Sequence, residues 1–470
     1  MPPHLRRFLP EYLLGLTALF FFSRELGTFP NAWIDEGLFI MTARHLAEGG
    51  SYGIPLLNDI WYYPYFLAVG PTVILPTALS IALFGISIEA ARAPMVLYLI
   101  LTTVTFYLLA KRIAGRNAAR WSTALLVTLS AFVNTGKPVL GEVPAFAFLI
   151  LGLLAYEAIE RPVKRGVFAG VLFGLSFLSK LTFGLILPAL GVAWIIALVR
   201  KKWSEVLALT TAGILTVAVY LPWRLVEAAH TPLGSLNEEI SEFVLGGGDM
   251  PIFYVLRENA GILLRMPYLA FGLMIVFGAA GMAALRNRMR TSTLVMIASL
   301  IVLFGGYFLN SYGWYRHLLP ATLLLFLFVP AGAVRLLGQK AAALILGMII
   351  LFQGLWQLDH RGSGLGTELQ RSVATLIAEY QNEELFIEES EIFAQLPRNP
   401  RLLFLVRDRV SPTMPEEYRI PRPEQRCRRR VRKVNVEEIT TYGDRAVQLG
   451  GSYYVVPMPD DCNAIRSRDS

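Results

Sequence analysis

Eleven apolar runs, at residues 9–28, 94–110, 121–136, 143–159, 166–179, 181–199, 204–222, 262–285, 291–309, 318–334 and 341–357, constrain this chain more than any motif in it. A helix that crosses a bilayer needs about 20 mostly apolar residues, and a chain that repeats such runs has no soluble fold open to it. Composition agrees, with 54% hydrophobic residues and a mean hydropathy of +0.50, well above a soluble domain. The expected fold class is an all-α polytopic membrane protein with about 11 transmembrane helices. The first run reads as a retained helix, because no small-residue cleavage site follows it.

Lys and Arg accumulate in short cytoplasmic loops, so the basic clusters orient the spans. They are Arg6-Arg7, Lys111-Arg112 with Arg116 and Arg120, Arg161-Lys164-Arg165, Arg200-Lys201-Lys202, Arg286-Arg288-Arg290, and Arg335 with Lys340. With all six inside, the N-terminus is cytoplasmic, and Asp35-Glu36, Lys137 with Glu142, Lys180, residues 223–261, Arg316 and the C-terminal tail lie outside. The uncharged run 66–88 breaks this alternation if it spans. Gly70, Pro71 and Pro76 interrupt its helix pattern, so it is expected to be a re-entrant or surface-lying hairpin.

The net charge of +8 does not mark a nucleic-acid binder. Before residue 361 there are 26 basic and 18 acidic residues, most of the basic ones in the cytoplasmic clusters, whereas the tail holds 17 of each. The tail is patterned, acidic from Glu383 to Glu391 and basic from Arg426 to Lys433. The basic stretch reads first as a solvated strand or loop and second as a contact for anionic headgroups or an anionic acceptor. Leu385-Phe386-Ile387, Leu402 to Val406 and Tyr453 to Val456 are strand-like runs between Pro and Gly, which predicts a small α/β or β-rich extracytoplasmic domain. The domain boundaries expected are 1–357 for the membrane module, with outer loops 30–93 and 223–261, and 358–470 for the tail domain. Cys427 and Cys462, both in the tail, are free to pair in an oxidising compartment. Gly166, Gly170 and Gly174 repeat at intervals of four, as in a close helix-packing face. Gly246-Gly247-Gly248 offers either a hinge for a closing loop or plain linkage.

Ionisable residues at the ends of spans are costly and usually have a task. Asp35 and Glu36 follow the first run; Lys137 and Glu142 share the next outer loop; Lys180 stands between two apolar runs; Tyr315-Arg316-His317 opens a late span. Carboxylates and cations on one face suit an anionic phosphate substrate: cations hold the phosphate and a carboxylate takes a proton from an incoming hydroxyl. No metal-ligand spacing is present, so no cofactor is required, with an oxygen-ligated Mg²⁺ or Mn²⁺ between Asp35 and Glu142 as the alternative. No phosphate-binding glycine loop occurs, which points to a donor that is already lipid-linked.

Residues 8–340 resemble polytopic glycosyltransferases of GT-C fold, of the dolichyl-phosphate-mannose and aminoarabinose transferase kind. The resemblance rests on the Asp35-Glu36 pair, Arg92-Ala93-Pro94, Gly141-Glu142-Val143-Pro144, Gly174 to Lys180, and Tyr315-Arg316-His317 to Pro320. It implies sugar transfer, with inversion, from a polyprenyl-phosphate carrier to a protein, lipid or glycan acceptor on the outer face. Asp35 would match the catalytic base, with Glu36 a hydrogen-bonding partner or second base. Lys180, Arg316 and Lys137 are the candidate phosphate ligands, and Glu142, Tyr63, Tyr315 and His317 the candidate acceptor or sugar contacts. Trp61-Tyr62-Tyr63-Pro64-Tyr65 stands where relatives often carry a histidine or double proline, so sugar and acceptor specificity is expected to differ. A transporter or flippase of lipid-linked glycans, and a ligase or polymerase, are the alternative classes; neither gives a reason for Asp35-Glu36 at the mouth of the first outer loop.

Overall fold

The computed structural model describes residues 3–56, 59–63, 69–230, 269–310, 315–359, 365–404, 429–434, 439, 442 and 445–457. In chain order its elements are α1 (Pro3–Ser23), α2 (Ile34–Ala47), β1 (Gly53–Leu56), β2 (Asp59–Tyr62), α3 (Pro71–Phe84), α4 (Ile88–Ala114), α5 (Arg116–Thr128), α6 (Ser130–Gly136), α7 (Glu142–Ala158) and α8 (Pro162–Ser179). A 3-10 turn, Leu181–Leu185, leads into α9 (Ile186–Val199), followed by α10 (Trp203–His230), α11 (Leu269–Leu285), α12 (Thr291–Asn310), α13 (Tyr315–Phe326) and α14 (Val329–Asp359). The tail adds α15 (Leu365–Glu379), β3 (Leu385–Ile387), α16 (Ser390–Phe393), β4 (Leu402–Phe404), β5 (Arg429–Lys433), β6 (Val447–Gly450) and β7 (Tyr453–Val456). Contacts divide the chain into two compact units, Met1–Arg24 with Ala68–Val73 and Met95–His360, and Glu25–Leu67 with Ile74–Pro94 and Arg361–Ser470.

Among the described residues, five helical stretches are long and apolar enough to cross a membrane: Ile88–Ala114, Leu181–Val199, Trp203–His230, Thr291–Asn310 and Val329–Asp359. Among the described residues the expected runs are largely helical, but not all are unbroken spans. Leu129, in an extended conformation, splits 121–136 into α5 and α6. A turn at Leu327–Phe328 divides 318–334, and Gly338, at φ 76° and ψ 166°, breaks α14. Only glycine tolerates that backbone without strain. The run 66–88 contains one helix rather than a hairpin. Pro71 opens it, where a missing N–H costs nothing, and Pro76 lies within. Pro76 leaves the Thr72 carbonyl without its helical donor, and the Tyr98 hydroxyl donates to that carbonyl at 2.6 Å. At 14 residues the helix is about 21 Å long, short of the ~30 Å hydrocarbon core.

The first unit has its core among α1 and α4–α14, with Phe106, Phe132, Phe146, Phe173 and Phe304 fully enclosed. The glycine stripe of α8 faces α10. A Cβ on Gly166 would lie 2.5 Å from the Ala208 carbonyl oxygen, and one on Gly170 2.6 Å from that of Ala212. Thr216 Oγ1 donates across the same interface to the Gly170 carbonyl at 3.3 Å. Backbones this close leave no room for a side chain. Gly170→Leu is expected to destabilise the detergent-solubilised protein by about 1–3 kcal/mol, read as a lowered unfolding midpoint, while Gly213→Leu, whose Cβ position is open, changes it little.

The second unit carries a five-stranded mixed sheet of order β4-β3-β5-β7-β6. β3 pairs in parallel with β4 and β5; β7 runs antiparallel to β5 and β6. Leu385, Phe386, Ile387, Val431 and Val455 form its core, and α15 packs against β6 and β7. The described part of the basic stretch is the central strand β5, its charged side chains partly exposed, and it pairs with the acidic stretch. Arg429 meets Glu383 at 3.0 Å, Arg430 meets Glu388 at 3.3 Å, and Lys433 lies between Glu389 and Glu391. The two opposite charge runs flank neighbouring strands, so each neutralises the other. Cys427, Cys462 and Gly246 to Gly248 lie outside the described residues.

Candidate active site

In the first unit three elements bring one carboxylate and two cations together. Glu142 opens α7, Lys180 caps the C-terminus of α8 in an extended conformation, and Arg316 stands in the first turn of α13. Glu142 and Lys180 are 3% and 5% exposed. Glu142 Oε1 lies 3.4 Å from Lys180 Nζ and 3.8 Å from Arg316 Nε. These are ion-pair separations; neither carboxylate oxygen accepts a hydrogen bond among the described residues. Gly141 makes the approach possible, since a Cβ there would sit 2.5 Å from the Ser179 carbonyl oxygen and 3.0 Å from Lys180 Cδ. Two cations from separate helices thus converge on one buried carboxylate, which offsets their mutual repulsion.

The other sequence candidates of this unit sit as follows. His317 is buried, its ring 5.0 Å from that of Tyr307. The Tyr315 hydroxyl lies 3.4 Å from Thr322 Oγ1. Lys137 is 3% exposed and donates to the Arg24 carbonyl at 2.7 Å, which ties it to the chain just beyond α1.

In the second unit α2 begins Ile34-Asp35-Glu36, after Trp33 in extended conformation. Carboxylates are favoured in a first helical turn, where unpaired N–H groups and the helix dipole attract them. Successive helical side chains point about 100° apart, so the adjacent acids have different surroundings. Glu36 is fully buried and both its oxygens accept from Arg92, at 2.7 Å each. Arg92, also fully buried, donates further to the carbonyls of Leu26 and Pro30 at 2.8 Å. Asp35 is half-buried. Ser390 Oγ donates to the Ile34 carbonyl at 2.7 Å, and a Cβ on Gly37 would collide with the Ser390–Glu391 backbone. The first turn of α2 is therefore held by Arg92 and by α16. Tyr63 has φ +46° and stacks on Tyr52 with ring centroids 5.6 Å apart.

Arg92 and Ser390 were not among the sequence candidates for the site. Arg92 carried a signal, a lone cation opening an apolar run, and such a cation seeks a carboxylate. Ser390 carried none. Among the described residues no group of three or more His, Cys, Asp and Glu side chains is arranged to hold a metal.

Residues 69–225 match the dolichyl-phosphate-mannose-protein mannosyltransferase family (PMT_2). Over 216 residues the chain is 28% identical to an uncharacterized protein of Aquifex aeolicus (strain VF5), a match covering 45% of this chain and 42% of that one. The structure superposes on ArnT from Cupriavidus metallidurans bound to undecaprenyl phosphate with a TM-score of 0.68, at 14% identity, over 96% of this chain and 98% of that one. It also superposes on the archaeal oligosaccharyltransferase AglB from Archaeoglobus fulgidus, in complex with an inhibitory peptide and a dolichol-phosphate, with a TM-score of 0.53 at 11% identity over 87% and 65% of the two chains. The chain is thus a multi-pass membrane protein of GT-C fold whose residues 69–225 match the dolichyl-phosphate-mannose-protein mannosyltransferase family.

Proposed function

We propose that this chain is an inverting glycosyltransferase that moves a sugar from a polyprenyl-phosphate carrier to an acceptor hydroxyl on the outer face of the membrane. The observation that carries the reading is the Glu142–Lys180–Arg316 cluster, in which two cations from separate helices converge on one buried carboxylate at the ends of apolar helices. A phosphate oxygen accepts charge-assisted hydrogen bonds from both kinds of cation. ArnT from Cupriavidus metallidurans binds undecaprenyl phosphate, which supports a lipid-linked phosphate as the ligand class.

In this reading Lys180 and Arg316 hold the donor phosphate, and Glu142 keeps the two cations from repelling each other. Lys137, already bonded to Arg24, steadies that neighbourhood and serves the phosphate second. Asp35 takes the proton of the acceptor hydroxyl; the oxygen attacks the anomeric carbon from the face opposite the phosphate. The bond between that carbon and the phosphate oxygen breaks, and its electron pair leaves on the lipid phosphate, where the cations stabilise it. Glu36 positions Asp35. Tyr63, Tyr315 and His317 contact the sugar or the acceptor. A divalent cation is dispensable, because Glu142 already faces two cations. The N-terminus is cytoplasmic and the sheet of the tail is outside.

A hydrogen bond to a charged group contributes about 1.5–3 kcal/mol, which is roughly 10- to 100-fold in affinity. Lys180→Ala and Arg316→Ala are each expected to weaken binding of undecaprenyl phosphate by that factor, measured by titration of the purified protein in detergent. Wild-type affinity in both variants would overturn the phosphate assignment.

A further inference from the structure

A cleft of about 480 Å³ opens where three candidate spans end. Its walls are the last turn of α9, the turn Arg200-Lys201-Lys202, the first turn of α10 and the first turn of α12. Four cations line it, Arg200, Lys201, Lys202 and Arg290, against one carboxylate, Glu205. That carboxylate is already saturated. It meets Arg165 at 2.9 Å and Arg290 at 3.4 Å, and accepts from the hydroxyls of Tyr156 and Ser292. Among the described residues Arg200, Lys201 and Lys202 form no ion pair, and all three are exposed. The N-termini of α10 and α12 add their positive dipole ends to the same wall.

The turn itself favours charge over ease of folding. The Lys202 N–H bonds to the Ala197 carbonyl at 2.9 Å, which closes α9 through Lys201 at φ +53°. Glycine adopts that left-handed backbone at no steric cost, whereas lysine does not. A cation stands where the fold alone would favour glycine. Beside it the Trp203 ring is 66% exposed, as aromatic rings are at the level of lipid headgroups.

We propose that this cleft binds the phosphate of an anionic phospholipid headgroup, its acyl chains lying along the exposed apolar faces of α9 and α10. The chemistry recognised is a phosphate ester. Its source is the membrane, because the cleft sits at the ends of three candidate spans. Basic pockets between membrane helices recognise anionic headgroups in this way, each cation near the surface adding roughly fivefold to affinity. The site is separate from the Glu142 cluster and does not depend on the glycosyltransferase reading.

The test is a titration of the full chain in neutral detergent with phosphatidylglycerol, phosphatidylcholine or inorganic phosphate, read as the shift in unfolding midpoint. Phosphatidylglycerol is expected to raise the midpoint; phosphatidylcholine and inorganic phosphate are not. Replacing Arg200, Lys201 and Lys202 by Gln is expected to lower apparent affinity for phosphatidylglycerol about a hundredfold. Lys201→Gly relieves the left-handed backbone, so it keeps the fold while lowering affinity roughly fivefold. Lys111→Gln with Arg112→Gln, an exposed basic pair at the end of α4, is expected to leave the response intact. A wild-type response in the triple variant would overturn the proposal. So would an equal loss in the Lys111/Arg112 variant, which means a general surface potential, or stabilisation by inorganic phosphate as strong as by lipid, which means a soluble anion.

Discussion

Asp35→Asn is expected to reduce sugar transfer from a polyprenyl-phosphate donor by roughly 10²–10⁴-fold, the usual contribution of a positioned general base. Donor affinity should stay within about twofold of wild type, because the cations assigned to the phosphate are untouched. Asparagine keeps the size of the side chain and matches aspartate in helix propensity, so the fold of α2 is preserved. What disappears is the proton acceptor. Glu36, the adjacent acid, cannot take over in its present place, since both its oxygens are occupied by Arg92 and it is fully buried. The measurement is transfer from a panel of radiolabelled polyprenyl-phosphate monosaccharides, with donor binding followed in parallel. Inactivity with retained binding supports the base assignment, and the active donor identifies the sugar. Equal transfer by Asp35→Asn and wild type removes Asp35 from the mechanism.

Much of the fold was legible because membranes make sequence patterns severe. Apolar runs predicted helices at 94–110, 204–222 and 291–309, and α4, α10 and α12 lie there, since a buried backbone in lipid has few alternatives to helix. Breaks inside runs were not legible. Nothing in the sequence marks Leu129 as a residue that splits two helices, because its conformation is set by tertiary packing. Pro76 misled in the other direction: it lies within a helix because a hydroxyl from Tyr98 serves the carbonyl that it strands. The glycine stripe of α8 was readable, because only a backbone approach explains three glycines on one face. In the tail, the acidic and basic stretches were visible separately, but their pairing depends on β3 and β5 being neighbours, a matter of topology that no local pattern encodes. At the candidate site the sequence named Glu142, Lys180 and Arg316 by their cost in a membrane, and the fold brings these three together. Arg92 was passed over as part of a motif, although a fully buried arginine needs a carboxylate and Glu36 was the acid without an assigned partner.

Arg92→Met is expected to cost about 3–5 kcal/mol of stability, the range for a buried ion pair broken from one side. The arginine makes four hydrogen bonds, two to Glu36 and one each to the Leu26 and Pro30 carbonyls. Methionine supplies no donor, so the fully buried Glu36 carboxylate is stranded and two carbonyls lose their partner. Glu36→Gln should cost less. It retains one acceptor oxygen, and the guanidinium keeps both carbonyls. Replacing both residues with Met removes the stranded charge, and apolar replacements of a buried pair can be neutral; the carbonyls of the half-buried Leu26 and Pro30 lose the guanidinium in both variants. The double variant is therefore expected to fall between wild type and Arg92→Met. Denaturant titration of wild type, Arg92→Met, Glu36→Met and the double variant in one detergent closes the cycle, and a stable Arg92→Met would show that water or another donor replaces the arginine. The same pair bears on chemistry, because Asp35 is the residue next to Glu36 and inherits its placement. If Arg92 acts by holding that turn, the folded fraction of Glu36→Gln will show a lower kcat with donor affinity unchanged, whereas a purely structural pair will lower the yield of folded protein and leave its kcat alone.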